Sequence, residues 1–174
     1  MRSIPKPLAG EFAPYAIMYI GLLPDDGLVL NHMRDNLKLI IDLIEALSNS
    51  QLTTPFAYGE WTIKEILVHI IDDERIYAYR ALRAARNDQT ELPGFDQDLF
   101  TTYSEANQRS TESIIEEYTS VRAATITLFN NLPDEALTRA CIANGHAMSV
   151  RAAAYHIAGH ELHHLNSIRQ NYLR

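Results

Sequence analysis

The stretch Ser149-Val-Arg-Ala-Ala-Ala-Tyr-His156-Ile-Ala-Gly159-His160-Glu161-Leu-His163-His164-Leu165-Asn-Ser-Ile168 decides the fold. At about 100° per residue, Val150, Ile157, Leu165 and Ile168 share one face, so the segment reads as an amphipathic helix over about 149–172, with Ser149 as its N-cap. His160 and His164 fall on the near flank of that face. His156 lies farther round and His163 farther still, so these two are expected to face solvent or to support the other pair. Gly159 costs a helix about 1 kcal/mol relative to Ala; it either allows close approach of another element or is incidental. Working outward, three further apolar stripes appear. Leu30, Met33, Leu37, Ile40, Ile44 and Leu47 mark a helix over about 26–48. Thr62-Ile-Lys-Glu65 is a capping box that opens a helix over about 62–86. Ile114, Tyr118, Val121, Thr125, Leu128 and Leu132 mark a helix over about 104–131, limited by Pro133. No alternating strand pattern is evident in the rest. The expected class is all-α, a four-helix bundle in one domain covering 1–174, preceded by an irregular arm over 1–25 that Pro5, Pro7, Pro14 and Pro24 keep from forming a long helix.

The chain has 174 residues, a length suited to one domain with a real core. Hydrophobic residues make up 47% and charged ones 21%, which excludes wholesale disorder. Lys and Arg total 15 against 22 Asp and Glu; the net charge of -7 attracts no phosphate backbone through its overall field, so no nucleic-acid partner is expected. The single cysteine, Cys141, permits neither an intrachain disulfide nor a cysteine-rich metal site, which agrees with a cytoplasmic address. The apolar run 16–23 is too short to span a bilayer, so no membrane association is expected.

The histidines carry the chemistry. The i, i+4 spacing of His160 and His164 sets two imidazoles one turn apart, within reach of a single metal ion. A third donor is available in Ile66-Leu-Val-His69-Ile-Ile-Asp72-Asp73-Glu74-Arg75, where His69 lies at the edge of a face centred near Ile66, Ile70 and Tyr77. Asp73 and Arg80 follow along the same stripe. His69 is about 10 Å along its helix, and His164 is a similar distance from the end of its own, so their levels match when the two helices run antiparallel. Parallel helices would leave a mismatch of roughly 9 Å. The three-histidine reading therefore favours up-down-down-up order over simple alternation, and the long connection 87–103, with its Pro93-Gly94 turn, is able to cross the bundle. Arg75, Arg80, Arg83 and Arg86 are read as partners of acidic neighbours, with anion binding as the alternative for Arg80. The N-terminal Glu11, Tyr15 and Tyr19, four residues apart, either cover the mouth of the site or pack against the end of the bundle.

His160-Glu161-Leu162-His163-His164 also satisfies the HExxH pattern of zinc peptidases. The extended pattern requires Gly at 167 and His at 170, where the chain has Ser167 and Gln170. There is also no sheet to bind an extended peptide, and a metalloprotease is rejected. The expected role of Glu161 is a buried hydrogen bond.

Trp61-Thr62-Ile-Lys-Glu65, His69-x-x-Asp72-Asp73-Glu74-Arg75-x-x-x-x-Arg80, Leu92-Pro93-Gly94-Phe95-Asp96, Ser149-Val150-Arg151 and Gly159-His160-Glu161-x-His163-His164, in this order over roughly 11–172, resemble the DinB/YfiT-like superfamily. The resemblance implies an up-down-down-up bundle, a homodimer, and a divalent metal on His69, His160 and His164. Some relatives are thiol-dependent S-transferases and others are described only as candidate metal-dependent hydrolases. The functional expectation is a metal-dependent enzyme acting on a small-molecule thiol or electrophile, with zinc, nickel or iron as the ion; the alternative is a non-catalytic metal- or small-ligand-binding protein. The reading of the residues does not choose among these ions or reactions.

Overall fold

The computed structural model describes residues 1–173. Its helices are α1 (Ile17–Ile20), α2 (Val29–Glu45), α3 (Asn49–Thr53), α4 (Ile63–Ala85), α5 (Gln97–Tyr103), α6 (Thr111–Asn130) and α7 (Val150–Asn171), with two strands, β1 (Ala140–Ala143) and β2 (His146–Ser149), before the last helix. The four long helices α2, α4, α6 and α7 form the bundle. α4 packs against α6 and α7, and α2 packs against the same two from the opposite corner. Cross-helix pairs fix the directions. His69 faces His160 and Asp73 faces His156, so α4 and α7 are antiparallel. Thr62 meets Asn107 and Arg75 meets Glu117, so α4 and α6 descend together. The start of α2 shares an apolar cluster with the ends of α4 and α6 and the start of α7. The order is up-down-down-up, as the matching levels of the histidines require.

Local chemistry explains where the helices begin and end. Thr62 Oγ1 accepts from the Glu65 amide at 3.2 Å, and the Glu65 carboxylate accepts from the Thr62 amide at 2.7 Å, so the expected capping box opens α4. Ser149 Oγ accepts from the Ala152 amide at 3.1 Å and opens α7. The first and third stripes overrun the helices they mark. Gly27, at φ +72°, and the Asp26 carboxylate, accepting from the Leu28 amide at 2.8 Å, hold a turn before α2. After α2, Ser48 forms a second capping box with Gln51, so 48–53 becomes a separate helix. Ser110 accepts from the Ser113 amide at 3.1 Å, so α6 starts at Thr111 rather than near 104.

The β-hairpin corrects the expectation of no strands. Asn144 and Gly145, at φ 51° and 75°, are the two left-handed positions of a tight hairpin turn, for which Asn-Gly is the favoured pair. The hairpin anchors the crossover segment, because the Leu92 amide donates to Ile142 O and the Asn144 amide to Leu92 O, each at 2.9 Å. The arm is likewise more ordered than expected, with a 3-10 turn at Pro14–Ala16 leading into the single turn of α1.

Two apolar clusters fill the bundle, one toward each end. Between them lies a polar layer of Glu74, Arg122 and Glu161, each at most 1% exposed. No helix among the described residues is long and apolar enough to cross a membrane.

Gly159 is where the arm meets the bundle. A Cβ on it would lie 2.3 Å from Tyr19 O and 2.6 Å from Tyr19 C. Those are backbone atoms, so α1 must shift to accommodate an alanine. Gly159→Ala gains about 1 kcal/mol of helix propensity and loses the close fit. The expected outcome is no net gain in thermal stability and faster amide exchange across 13–23, read by hydrogen-exchange mass spectrometry. Unchanged exchange there would show that α1 yields freely.

Candidate metal centre

Residues one turn apart on α4 and α7 face the cleft between these two helices. His69 and Asp73 come from α4, one turn apart; His156, His160 and His164 come from α7, also at single-turn intervals. The structure brings the three expected histidines together. His69 Nε2 and His164 Nε2 each lie 3.1 Å from His160 Nε2. An ion with three nitrogen ligands at the usual 2.0–2.1 Å separates them by about 3.0–3.4 Å, depending on geometry, so the donor set fits one small divalent ion. Burial is the leading cause of a lowered pKa in all three, bringing His160 to about 3 and His164 to about 2. Near neutral pH they are uncharged imidazoles with lone pairs available.

Asp73 orients the middle ligand. Its Oδ2 lies 3.4 Å from His160 Nδ1 and 3.2 Å from His156 Nε2. Burial alone would raise the Asp73 carboxyl, but the rings of His160 and His156 outweigh it and hold it well below the usual carboxylate range. With Nδ1–H directed at the carboxylate, His160 presents Nε2 to the centre. His156 is 3% exposed, not solvent-facing; it supports Asp73 and stacks on Tyr77 at 3.6 Å between centroids. Its Nδ1 is buried without a hydrogen-bond partner among the described residues. Asp73, His156 and His160 form a second cluster of donor atoms that shares His160 with the first. His163 is half-buried, and its ring meets the edge of Tyr19 at 5.3 Å.

Other elements close the site. Trp61 lies against His69 at 4.9 Å between ring centroids. Tyr19 of α1 packs edge-on to His156 and His160 at 5.2 and 5.1 Å, and Tyr15 and Tyr77 bring their hydroxyls to 3.3 Å. Burial raises both Tyr19 and Tyr77, so their hydroxyls keep their protons. Of the arm residues, Tyr15 and Tyr19 therefore cover the site, whereas Glu11 fastens the arm to the start of α7. The Glu11 carboxylate accepts from Ser149 Oγ and Arg151 Nε, both at 2.7 Å.

That contact predicts a pH effect. The hydrogen bond from Arg151 leads in holding Glu11 below the usual carboxyl range. Its contribution is complete above the unfolded value of about 4.3 and is lost as the pH falls through the lower, folded one. Glu11→Gln should reproduce at neutral pH the loosening of the arm that acid causes in the wild type. Proteolysis or hydrogen exchange of residues 8–23 measures it, and equal protection in the two proteins at pH 7 would refute it.

Glu161 is not available to the histidines. Its carboxylate accepts from Arg122 Nη2 at 2.9 Å and from the Tyr118 hydroxyl, a buried role as expected. This removes the peptidase base from HExxH. Arg75 pairs with Glu117 and Arg83 with Asp88, as expected of these arginines, but Arg80 has no carboxylate partner among the described residues. The sequence places Tyr77 on the buried face of its helix but gives it no part in the site, and it gives no role to Gln97 or Asn144. Tyr77 was detectable, one turn beyond Asp73 on the same stripe; Gln97 and Asn144 reach the site only through the crossover and hairpin.

A helical bundle of this order, with a three-histidine cluster at mid-height, defines a class of bundle proteins. The sequence pattern of the DinB superfamily matches residues 32–168, and the chain belongs to that family. It is 28% identical over 131 residues to a protein of Oceanobacillus iheyensis described as a candidate metal-dependent hydrolase, covering 74% of each chain. In fold it is similar to YfiT from Bacillus subtilis, itself described as a metal-dependent hydrolase candidate with an unusual four-helix bundle topology; the TM-score is 0.65 at 17% identity, over 96% of this chain and 93% of that one. It is also similar to the mycothiol-dependent maleylpyruvate isomerase, with a TM-score of 0.66 at 11% identity, over 83% of this chain and 60% of that one.

Proposed function

We propose that the protein is a metal-dependent enzyme acting on a small molecule, with a divalent ion held by Nε2 of His69, His160 and His164. The convergence of those three atoms, each 3.1 Å from the next through His160, carries the reading. When bound, such an ion lowers the pKa of a coordinated water to about 7 or holds a thiolate, with zinc, nickel and iron all compatible with three nitrogen donors. The protein's own groups do the rest. Asp73 fixes the His160 ring, Trp61 and Tyr19 restrict water, and Tyr15, Tyr19 and Tyr77 offer hydroxyls to a bound molecule.

Thiol transfer and hydrolysis are the two reactions this site would support. The names of two of the relatives favour hydrolysis and that of the third favours thiol chemistry. Metal-loaded protein is assayed with a low-molecular-weight thiol and an alkylating electrophile, and separately with esters and amides lacking the thiol. Thiol-dependent turnover assigns a transferase, and thiol-independent turnover assigns a hydrolase. Stoichiometric metal without turnover in either assay would favour the non-catalytic binding protein, and purified protein that takes up no metal would end the proposal. The assembly we propose is a two-fold homodimer packed through helices. The exposed Tyr79 and Leu82 on the outer face of α4 support it, and a monomer mass by light scattering would count against it.

A further inference from the structure

Arg80 is 5% exposed, and among the described residues its guanidinium makes one hydrogen bond, from Nη2 to Pro93 O at 2.8 Å. A guanidinium has five N–H donors and keeps its charge when buried, so a buried arginine is ordinarily matched by an anion. Arg122, buried to 1% exposure, is matched by two carboxylates. Arg80 is matched by none among the described residues; the face of Tyr77, 5.0 Å from its guanidinium carbon, is its nearest compensation. It lines a cavity of about 260 Å³ together with Tyr15, Tyr19, Gln97, Asn144, His156 and His160. The cavity therefore has an unmatched cation at one place and the histidine cluster at another. Hydroxyl and amide groups line the same cavity.

The geometry points to Arg80 as the anchor for the carboxylate of a small organic acid, whose other end is directed toward the histidine cluster. Only the second half of this assignment rests on the proposed metal reading. A single cation suits one carboxylate, and a guanidinium with donors to spare can grip it through two parallel bonds. Asp73 also lines the cavity, close to His160. Its charge disfavours an anion there and sends the carboxylate to the Arg80 end, leaving an uncharged group to face the histidines. The reacting molecule is thereby specified as a carboxylic acid that reacts at a site remote from its carboxylate.

The test uses benzoate, with benzamide as its uncharged analogue, and chelator-treated protein, so that direct coordination of benzoate by a metal is removed. Titration calorimetry should show saturable benzoate binding, weaker by about tenfold or more for benzamide. Arg80→Gln should weaken benzoate by a similar factor and leave benzamide unchanged. In the wild type, the Nε–H resonance of Arg80 should shift with benzoate and not with benzamide, a measurement that holds even if Arg80→Gln fails to fold. Equal benzoate affinity in Arg80→Gln, an unmoved Arg80 resonance at saturation, or no saturable benzoate binding to the wild type would overturn the assignment. Elemental analysis of untreated protein reports separately on the metal, so either reading can fail without the other.

Discussion

Alanine at His69, His160 or His164 should each reduce bound metal from stoichiometric to near zero, whereas alanine at His163 should leave it almost unchanged. Removing a group that merely orients a ligand costs about 10–100-fold in affinity; removing one of three ligands should cost more than that upper figure. The ordering within the site can be tested as well. Asp73→Asn keeps the shape and removes the charge that fixes the His160 tautomer, so it belongs in the 10–100-fold range. His156→Ala frees Asp73 from one of its two imidazoles while leaving His160 within 3.4 Å, so most of the metal should remain. Elemental analysis of the purified variants, with circular dichroism to confirm folding, gives the answer. Full metal in His69→Ala and His164→Ala, with loss confined to Asp73→Asn, His156→Ala and His160→Ala, would show that the ion sits on the second donor cluster and not on the three Nε2 atoms.

Why were these three histidines legible in the sequence when much around them was not? Helical periodicity gives direction, and residue number along a helix gives height, so a ligand set built only from long helices can be read from spacing. His160 and His164 share a flank of α7, and His69 is at their level once α4 runs the other way. The capping residues Thr62 and Ser149 were legible for the same reason, since caps are local chemistry. Features that depend on partners were not. His156 looked peripheral on a wheel centred on the apolar face, but α4 supplies Asp73 and the arm supplies Tyr19, which together bury it. The hairpin was signalled by Asn144-Gly145, a strong turn pair, yet its four-residue strands gain their support from Leu92, across the chain. Ser48 opens a separate short helix after α2 and Ser110 starts α6 later than the expected 104; each is a good N-cap, and an apolar stripe does not by itself fix where its helix starts or stops.

Arg122 shows the same limit in the core, and its replacement should have the largest effect on stability. On the sequence it is a charged residue beside the stripe of α6. In the fold it is 1% exposed and holds two helices at once, donating to Glu74 of α4 from Nε and Nη2 at 3.0 and 2.8 Å and to Glu161 of α7 from Nη2 at 2.9 Å. It also donates from Nη1 to Met33 O, which ties in α2. Arg122→Met would leave two carboxylates buried and unpaired. Breaking a buried pair in this way costs about 3–5 kcal/mol, a large share of the 5–15 kcal/mol typical of a whole domain. The variant should be mostly unfolded or should melt far below the wild type in urea or heat. The cost lies in the stranded charges, so adding Glu74→Leu and Glu161→Leu, with Tyr118→Phe to remove the hydroxyl that Glu161 accepts from, should restore much of the stability. A loss below about 1 kcal/mol in Arg122→Met would show that the layer is not a charge lock. The layer also bears on the site, because Glu74 follows Asp73 and Glu161 follows His160 in sequence. Arg122 thus fixes the rotation of both helices whose opposite flanks carry the histidines. The stabilised multiple variant should therefore fold and yet bind metal more weakly than the wild type, separating the precision of the site from the stability of the bundle.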